Sequence, residues 1–313
     1  MPEIFSKKET FNGQEMETFY RMANKPVDPD ADVSADGAGM NAMGMGVCPK
    51  FNQRTYLAEP GIICEQDVPV KMRDGVTIYV DIFRPENETN IPALVSWSFY
   101  GKRPGEAMSE WQIMGVVPGT VSKMAKFESP DPAYWCRKGY AVANVDPRGV
   151  GHSEGDVSIF GSQDARDGYD FIEWLAEQHW CNGKVGMAGN SAVAMTQWRI
   201  AAQQPPHLVC IAPWEGTSDI YRESMFEGGV SALSFNEFIV GSVTGSHGVD
   251  DLVEMGKRYP LMNAYWEDKI PDFKKIRIPC FVTACWNHFH LRGAFEGFRK
   301  IKSTRSEERR GGK

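Results

Sequence analysis

The sequence has no long apolar run, and no stretch approaches the roughly 20 continuous apolar residues that a membrane-spanning helix needs. Residues 1–12 contain no apolar segment of the kind that a secretory leader carries. The seven cysteines form no C-x-x-C pair, which argues against a zinc site and against a disulfide framework. Free thiols suit a reducing compartment, so we predict a cytoplasmic chain that does not associate with membranes.

The chain has fewer basic than acidic side chains. The chain has 34 Lys and Arg against 41 Asp and Glu, a formal net charge of −7. A nucleic-acid partner would require a basic face, so the charge argues against one. The composition, 42% hydrophobic and 24% charged, is that of a globular protein, and 313 residues suit one large domain or two small ones.

Short apolar runs bounded by glycine and proline predict a series of strands. Residues 68–72 and 77–83, separated by the turn signal Arg73-Asp-Gly75, predict an antiparallel hairpin. Five further runs have the composition of strands buried on both faces: residues 93–99, 140–145, 185–188, 209–214 and 280–284. A helix is predicted over residues 164–179, with acidic residues in its first turn. Strands alternating with helices predict an α/β fold with a mostly parallel sheet.

Two regions break this alternation. Residues 1–60 are expected to form an irregular N-terminal extension, which includes the polar segment 26–32 and the Gly- and Met-rich segment 40–47. Residues 216–272 are aromatic-rich and predict an inserted helical lid. The core is therefore expected in two parts, residues 61–215 and 273–303.

The strongest local signal for chemistry is a strand followed by Gly189-Asn-Ser191 and a helix-compatible segment. This layout is typical of a nucleophile elbow, in which a tight turn exposes a serine hydroxyl beside the N–H groups of a helix start. It departs from the G-x-S-x-G pattern at the last position, and an ordinary buried serine in a strand-to-helix turn is the alternative. The glycines of residues 146–155 do not complete G-x-G-x-x-G, which argues against a dinucleotide site.

Four segments, in this order, resemble the CocE/NonD family of α/β-hydrolases, which includes cocaine esterases and X-Pro dipeptidyl-peptidases. They are Met72-Arg-Asp-Gly-Val76 with Asp81-Ile-Phe-Arg-Pro85, then Phe99-Tyr-Gly-Lys102, then Asp146-x-Arg-Gly-x-Gly-x-Ser-x-Gly155, and finally Trp180 to Ser191. The resemblance covers roughly residues 64–303 and is greater to fungal-type members than to bacterial esterases. It implies an α/β-hydrolase core that needs neither a metal nor an organic cofactor.

The resemblance also implies site residues. Ser191 would be the nucleophile that forms an acyl-enzyme. The Tyr100 phenol and the backbone N–H of Ala192 would form the oxyanion hole, although Tyr100 could instead be a rim aromatic under the lid. Arg148 is expected to brace a loop, and His152 to be an incidental loop residue.

The acid and the base of the expected Ser-Asp-His triad are uncertain at this stage. The turn in which the family carries its aspartate reads Cys285-Trp-Asn-His-Phe-His290 here, and aligning on its tryptophan places His288 at the aspartate position. His288 and His290 are the only histidines in this region, so either could be the base, a substrate-site residue or a structural residue. Asp219 is a possible acid or a helix N-cap.

No histidine follows His290, and residues 304–313 are charged and unlike the family. We therefore expect a C-terminally truncated chain with a non-native tail. Its parent is expected to be a serine hydrolase of small-molecule esters or amides with an apolar acyl group. Two alternatives stay open: an inactive fragment or pseudoenzyme with little esterase activity, and an acyltransferase.

Overall fold

The computed structural model describes residues 3–24, 50–103, 117 and 119–302. Over these residues the chain forms a seven-stranded sheet covered by helices, with a smaller sheet and a group of short helices packed at one end. Segments 26–32, 40–47 and 304–313, for which sequence expectations were stated, lie outside the described residues. No helix within the described ranges has the length and apolarity that a bilayer crossing requires.

The central sheet is mixed, and its strand order is β3-β4-β5-β7-β6-β8-β9. Its strands are β3 (Arg54–Glu59), β4 (Ile62–Lys71), β5 (Thr77–Pro85), β6 (Ile91–Trp97), β7 (Ala141–Asp146), β8 (Cys181–Asn190) and β9 (Leu208–Trp214). The pairs β3–β4, β4–β5 and β5–β7 are antiparallel, whereas β7–β6, β6–β8 and β8–β9 are parallel. The predicted α/β class and the β4–β5 hairpin are confirmed.

Three helices follow or precede the parallel strands: α1 (Pro132–Cys136), α2 (Ser162–Ala176) and α3 (Ala192–Ala202). Their apolar faces cover the sheet, and Phe171, Trp180 and Trp198 lie fully inside the resulting core. Since strands β6, β7 and β8 run in the same direction, their carboxyl ends meet at one edge of the sheet. Loops that leave this edge carry the candidate site, as is usual for open α/β sheets.

The expectation that residues 1–60 are irregular is wrong for the described part. Strands β1 (Ile4–Phe11) and β2 (Gln14–Met22) form an antiparallel hairpin around Asn12-Gly13. The hairpin pairs with β12 (Gly248–Asp250), and the buried side chain of Arg21 binds Asp251 at 2.7 Å. The alternation in this stretch was too polar to be recognised, because most of β1 faces solvent.

The strand predicted over residues 280–284 is also absent as a regular strand. This segment makes two isolated parallel bridges beside β9, Ile211 with Cys280 and Trp214 with Thr283. Several of its side chains are exposed, Phe281 among them, so it lies at the open edge of the sheet. Helix α7 (Leu291–Lys300) follows it and packs back towards the site.

Residues 216–272 form several short elements. They are a π-helical turn (Tyr221–Met225), a small hairpin of β10 (Phe226–Glu227) and β11 (Val230–Ser231), helices α4 (Leu233–Gly241), α5 (Leu252–Arg258) and α6 (Ala264–Asp268), and β12. Their apolar side chains form a second core with Phe99, Phe160 and Met195 from the sheet side. This second core borders the candidate site.

Candidate active site

Ser191 lies at the sharp turn between β8 and α3. Its backbone has a φ of 52° and a ψ of −119°, a conformation that a residue with a side chain rarely adopts. Its N–H donates to the carbonyls of Trp214 at 3.1 Å and Glu215 at 3.2 Å. These bonds hold the strained residue, and the side chain points to a cavity instead of into the helix.

Gly189 makes this turn possible. Its φ is 146°, and an added Cβ would lie 2.3 Å from Val193 Cγ1 and 2.9 Å from the Glu128 carbonyl oxygen. A side chain at position 189 would therefore collide with the start of α3 and with the segment before α1. The fifth position of the elbow is Val193, which packs closely against this glycine.

Tyr100 lies on the loop that follows β6 and faces Ser191. Its hydroxyl is within hydrogen-bonding reach of the Ser191 side chain, the Ala192 N–H and the Glu128 carboxylate. Burial raises the pKa of the phenol well above its ordinary value, and the Glu128 charge raises it further. The phenol is therefore neutral near pH 7 and can donate a hydrogen bond.

Buried charges fix the loop on which Tyr100 lies. The backbone N–H of Lys102 donates to Asp146 Oδ1 at 2.6 Å, and the Lys102 ammonium pairs with Asp146 and with Asp67. Arg103 pairs with Asp67 at 2.6 Å and with Asp81 at 2.5 Å. Since removing one partner leaves an unpaired charge in the core, this network strongly favours one loop conformation.

Lys126 forms a hydrogen bond with the same loop. It is 1% exposed, and its Nζ donates to the carbonyl oxygen of Gly101 at 2.8 Å. Burial lowers the pKa of Lys126 to about 7. The adjacent Phe127 ring packs edge-on against Tyr100 with centroids 5.2 Å apart. The phenol of Tyr100 is thus held from two sides.

His290 is the histidine that the fold places beside Ser191. Its Nε2 lies 3.4 Å from Ser191 Oγ, and its side chain is almost completely buried. The other ring nitrogen, Nδ1, is buried and has no hydrogen-bond partner among the residues that the structure describes. Burial lowers the pKa of His290 to about 3, and the nearby His288 contributes to the shift. The imidazole is neutral, but it lacks the acidic partner of a complete triad.

His288 and Glu215 complete the wall around His290. The Nδ1 atom of His288 is 4.0 Å from Glu215 Oε2, and the rings of His288 and His290 are 4.4 Å apart. One ligand atom from each of these three residues lies within 4.8 Å of the others. Imidazole and carboxylate ligands are those that Zn²⁺ accepts, but the separations exceed those of a formed site.

Glu128 lies behind the phenol, in the segment between Phe127 and α1. Its Oε1 accepts from the Asn190 side chain at 3.1 Å, whereas its Oε2 is buried and makes no hydrogen bond of good geometry to any described residue. Burial raises the pKa of Glu128 to about 7, and the charge of Glu215 adds to the shift. A carboxyl group that titrates near neutrality therefore touches the residues expected to do the chemistry.

An apolar cavity opens from Ser191 towards the lid segment. Apolar side chains dominate its wall, and the residues that line it are Phe99, Tyr100, Phe160, Ser191, Ala192, Met195, Thr217, Ile220, Ser224, Phe235, Asn236, Ile239, Leu252, Phe289 and His290. Among the aromatic residues that the sequence indicated for the lid, Phe235 reaches this cavity, and Trp266 is fully buried in the second core.

The remaining sequence candidates lie in structural contacts. Asp219 accepts from the Arg222 backbone N–H at 3.0 Å and pairs with its guanidinium at 2.6 Å, whereas the N-cap of the π-helical turn is Ile220. Arg148 pairs with Asp167 at 2.7 Å and with Asp74 at 2.8 Å, as expected for a loop brace.

His152 packs edge-on against the Phe51 ring, with centroids 5.5 Å apart.

Neither Glu128 nor Glu215 lies in a motif described above, and sequence reasoning missed both. Glu215 directly follows β9, and its position at the carboxyl end of a parallel strand is the one signal that could have indicated it. Glu128 carries no such signal, because its approach to Ser191 is a product of chain packing.

The chain is similar to several known proteins. A family profile described as X-Pro dipeptidyl-peptidase (S15 family) matches residues 74–247. The cocaine esterase of Rhodococcus sp. (strain MB1 Bresler) is 34% identical over 168 residues, which cover 54% of this chain and 26% of that protein. The chain thus spans about a quarter of the length of this curated relative.

Solved structures are similar as well. A CocE/NonD family hydrolase from Staphylococcus aureus is 36% identical with a TM-score of 0.72, covering 78% of this chain and 45% of that one. An alpha-amino acid ester hydrolase has a TM-score of 0.52 at 19% identity, covering 79% and 48% of the two chains, which is a likeness of fold.

Proposed function

Because this chain belongs to the X-Pro dipeptidyl-peptidase (S15) family of hydrolases, we propose that it hydrolyses esters through an acyl-enzyme on Ser191. The observation that carries the proposal is the position of the Ser191 hydroxyl. It lies on a strained turn, 3.4 Å from an imidazole nitrogen of His290, and close to two hydrogen-bond donors, the Tyr100 hydroxyl and the Ala192 N–H. Amides are the harder alternative substrates of the same chemistry.

The proposed reaction has two halves. Ser191 Oγ attacks the ester carbonyl carbon while its proton passes to His290 Nε2, and the carbonyl oxygen becomes an oxyanion. The Tyr100 hydroxyl and the Ala192 N–H donate to this oxyanion. The carbon–oxygen bond to the leaving group then breaks, and the alcohol leaves with the proton from His290. Water then attacks the acyl carbon while one of its protons passes to His290 Nε2. The bond between the acyl carbon and Ser191 Oγ breaks, Ser191 Oγ takes the proton from His290, and the carboxylic acid is released.

The cavity suggests the substrate class. Phenylalanine, isoleucine, leucine and methionine side chains form most of its wall, so an apolar acyl or aryl group of moderate size fits it. The cavity residues Asn236 and Ser224 bond mainly to each other, with Ser224 Oγ donating to Asn236 Oδ1 at 2.9 Å. Their polar atoms therefore add little preference for a charged substrate.

A second candidate is a chain that acylates but turns over slowly. It is favoured by the Nδ1 of His290, which has no hydrogen-bond partner in the described ranges, and by the low pKa of this imidazole, about 3. A general base is most effective when its pKa lies near the working pH, so His290 would accept the Ser191 proton weakly.

Two measurements on the full chain test both candidates. A fluorophosphonate probe should label Ser191, and Ser191→Ala should abolish the label, whereas Ser162→Ala, a serine at the start of α2, should keep it. A short p-nitrophenyl ester should be hydrolysed, and His290→Ala should lower kcat by about 100-fold. A stoichiometric burst without turnover supports the second candidate, and labelling that survives Ser191→Ala contradicts both. Acyl transfer to an added alcohol in place of water would identify an acyltransferase.

A further inference from the structure

Glu128 is built into the site with unusual constraint. It is one of the residues with a left-handed backbone, with a φ of 57°. Its carbonyl oxygen accepts the N–H of Asn190 at 2.9 Å, directly before the proposed nucleophile. Its side-chain Oε1 accepts the Asn190 amide at 3.1 Å. Backbone and side chain of Glu128 are therefore both fixed to the end of β8.

The other carboxyl oxygen of Glu128, Oε2, is in a different position from Oε1. It is buried and, within the described part of the chain, has no hydrogen bond of good geometry, although the Tyr100 hydroxyl and the Ser191 side chain are within reach. Ionisation would place a negative charge in this buried site, which is unfavourable even where the Tyr100 hydroxyl donates to it. A protonated oxygen would instead find an acceptor in the Tyr100 hydroxyl. The titratable groups that face Glu128 are Tyr100 on its loop and Glu215 after β9, beside Ser191 and Asn190.

Glu128 acts on the site through Tyr100. Tyr100 and Ser191 line the cavity among the described residues, whereas Glu128 does not. A substrate in the cavity would contact the phenol, with the carboxyl group behind it. Glu128 is thus placed to position Tyr100 and not to bind the substrate.

We propose that Glu128 works as a neutral carboxylic acid that donates its proton to the Tyr100 oxygen and so directs the phenol hydrogen towards the oxyanion. The inference rests on the proposed function of Ser191 and adds a positioning residue to it. When Glu128 loses its proton, the carboxylate accepts the phenol hydrogen instead. The oxyanion then loses one donor and meets a nearby negative charge, and both effects oppose its formation. A carboxylic acid kept neutral in an apolar site can serve as a donor in this way.

The first test is the pH profile of kcat with a p-nitrophenyl ester. In the wild-type protein, kcat should decrease as the pH rises through about 7, where Glu128 ionises. Glu128→Gln keeps a donor that cannot ionise, so its kcat should stay within about threefold of wild type at pH 6 and lose this fall. Glu173→Gln, which removes a carboxylate paired with His207, is the control and should keep the wild-type profile. An unchanged fall in Glu128→Gln would overturn the proposal.

The second test asks whether Glu128 acts through Tyr100. Glu128→Leu removes the donor and should lower kcat about tenfold with KM within about twofold. In the Tyr100→Phe background the same change should have little further effect, because the hydroxyl that it positions is gone. A loss of equal size in both backgrounds would show a general structural role instead. If Glu128→Leu does not fold, the pH profile of Glu128→Gln decides.

A third measurement needs no activity. The infrared difference spectrum between wild type and Glu128→Gln should contain the carbonyl band of a protonated carboxyl group at low pH, which disappears with a midpoint near 7. Its absence at pH about 5.5 would contradict the neutral acid. If the band is present but Ser191 is not acylated, the proposed function fails while the protonation state of Glu128 stands, so the two failures are distinguishable.

Discussion

The Nε2 atom of His290 lies 3.4 Å from the Oγ atom of Ser191, although 99 positions separate the two residues in the chain. The contact depends on the start of α7 packing against the residues that follow β9. His290 is buried there, and no residue in the described part of the chain forms a hydrogen bond with its Nδ1. An imidazole in this setting has consequences for stability as well as for chemistry.

Burial of neutral His290 should make the protein less stable in acid. Its pKa is about 3 in the folded state against 6.5 ordinarily, so the unfolded state binds the proton more readily. The contribution to the free energy of unfolding is complete above pH 6.5 and is lost as the pH falls from 6.5 towards 3. At pH 4.5 the loss is about 3 kcal/mol. Urea unfolding at pH 7 and pH 4.5 should show a smaller fall for His290→Gln than for wild type.

The control for this measurement is His179→Gln, at an exposed position after α2. An equal change in both variants would contradict the burial of His290 as the cause.

The buried ion pairs around the Tyr100 loop predict a large effect of Lys102→Met. This change leaves Asp146 and Asp67 without their shared cation in the core, and we expect the free energy of unfolding to fall by about 3–5 kcal/mol. Arg299→Gln is the comparison, because its pair with Glu296 is on the surface and should contribute under about 1 kcal/mol. Equal Tm shifts in the two variants would show that the network does not hold the loop.

Alanine at position 293 should destabilise the protein, although alanine within a helix is usually more favourable than glycine. An added Cβ would lie 2.5 Å from the Gly216 carbonyl oxygen and the Ser218 N–H, both backbone atoms. We expect Gly293→Ala to destabilise the protein by about 1–3 kcal/mol. It should also lower kcat, because α7 and the adjacent His290 must move.

The matched variant for Gly293 is Gly256→Ala in α5. There the new Cβ meets the flexible end of Met225 at 2.8 Å, and the gain in helix propensity, about 1 kcal/mol, offsets the contact. Thermal melts of the two variants compare the effects directly. A Gly293→Ala protein as stable and active as Gly256→Ala would contradict the close packing of α7 on the site.

The apolar cavity predicts a dependence on acyl-chain length. Ile239 lies on its lid side, and Ile239→Trp should fill part of the space that a longer acyl chain would occupy. We expect kcat/KM for a p-nitrophenyl octanoate to fall at least about tenfold more than for the acetate, since each buried methylene contributes about 0.8 kcal/mol. Leu261→Trp, at an exposed position outside the cavity, is the control. A uniform loss across chain lengths would place the acyl group elsewhere.

Much of the fold could be read from the sequence. The apolar runs predicted β4 to β9 because strands buried on both faces need continuous apolar residues, and the Gly-Asn-Ser segment predicted the turn at Ser191 because such a turn needs small residues beside it. The resemblance to one family then indicated Tyr100 and Ala192. The polar hairpin of β1 and β2 was missed, because strands with a largely exposed face carry a weak hydrophobic signal.

The tertiary structure decided what surrounds the hydroxyl. The sequence left His288 and His290 equivalent, and only the packing of α7 brings His290 to Ser191 while His288 turns to Glu215. Glu128 was not predicted by any local pattern. Local patterns report backbone conformation and burial, whereas the protonation and pairing of side chains depend on neighbours that are distant along the chain. The turn at Ser191 could therefore be predicted from the amino-acid order, but the side chains that surround its hydroxyl could not.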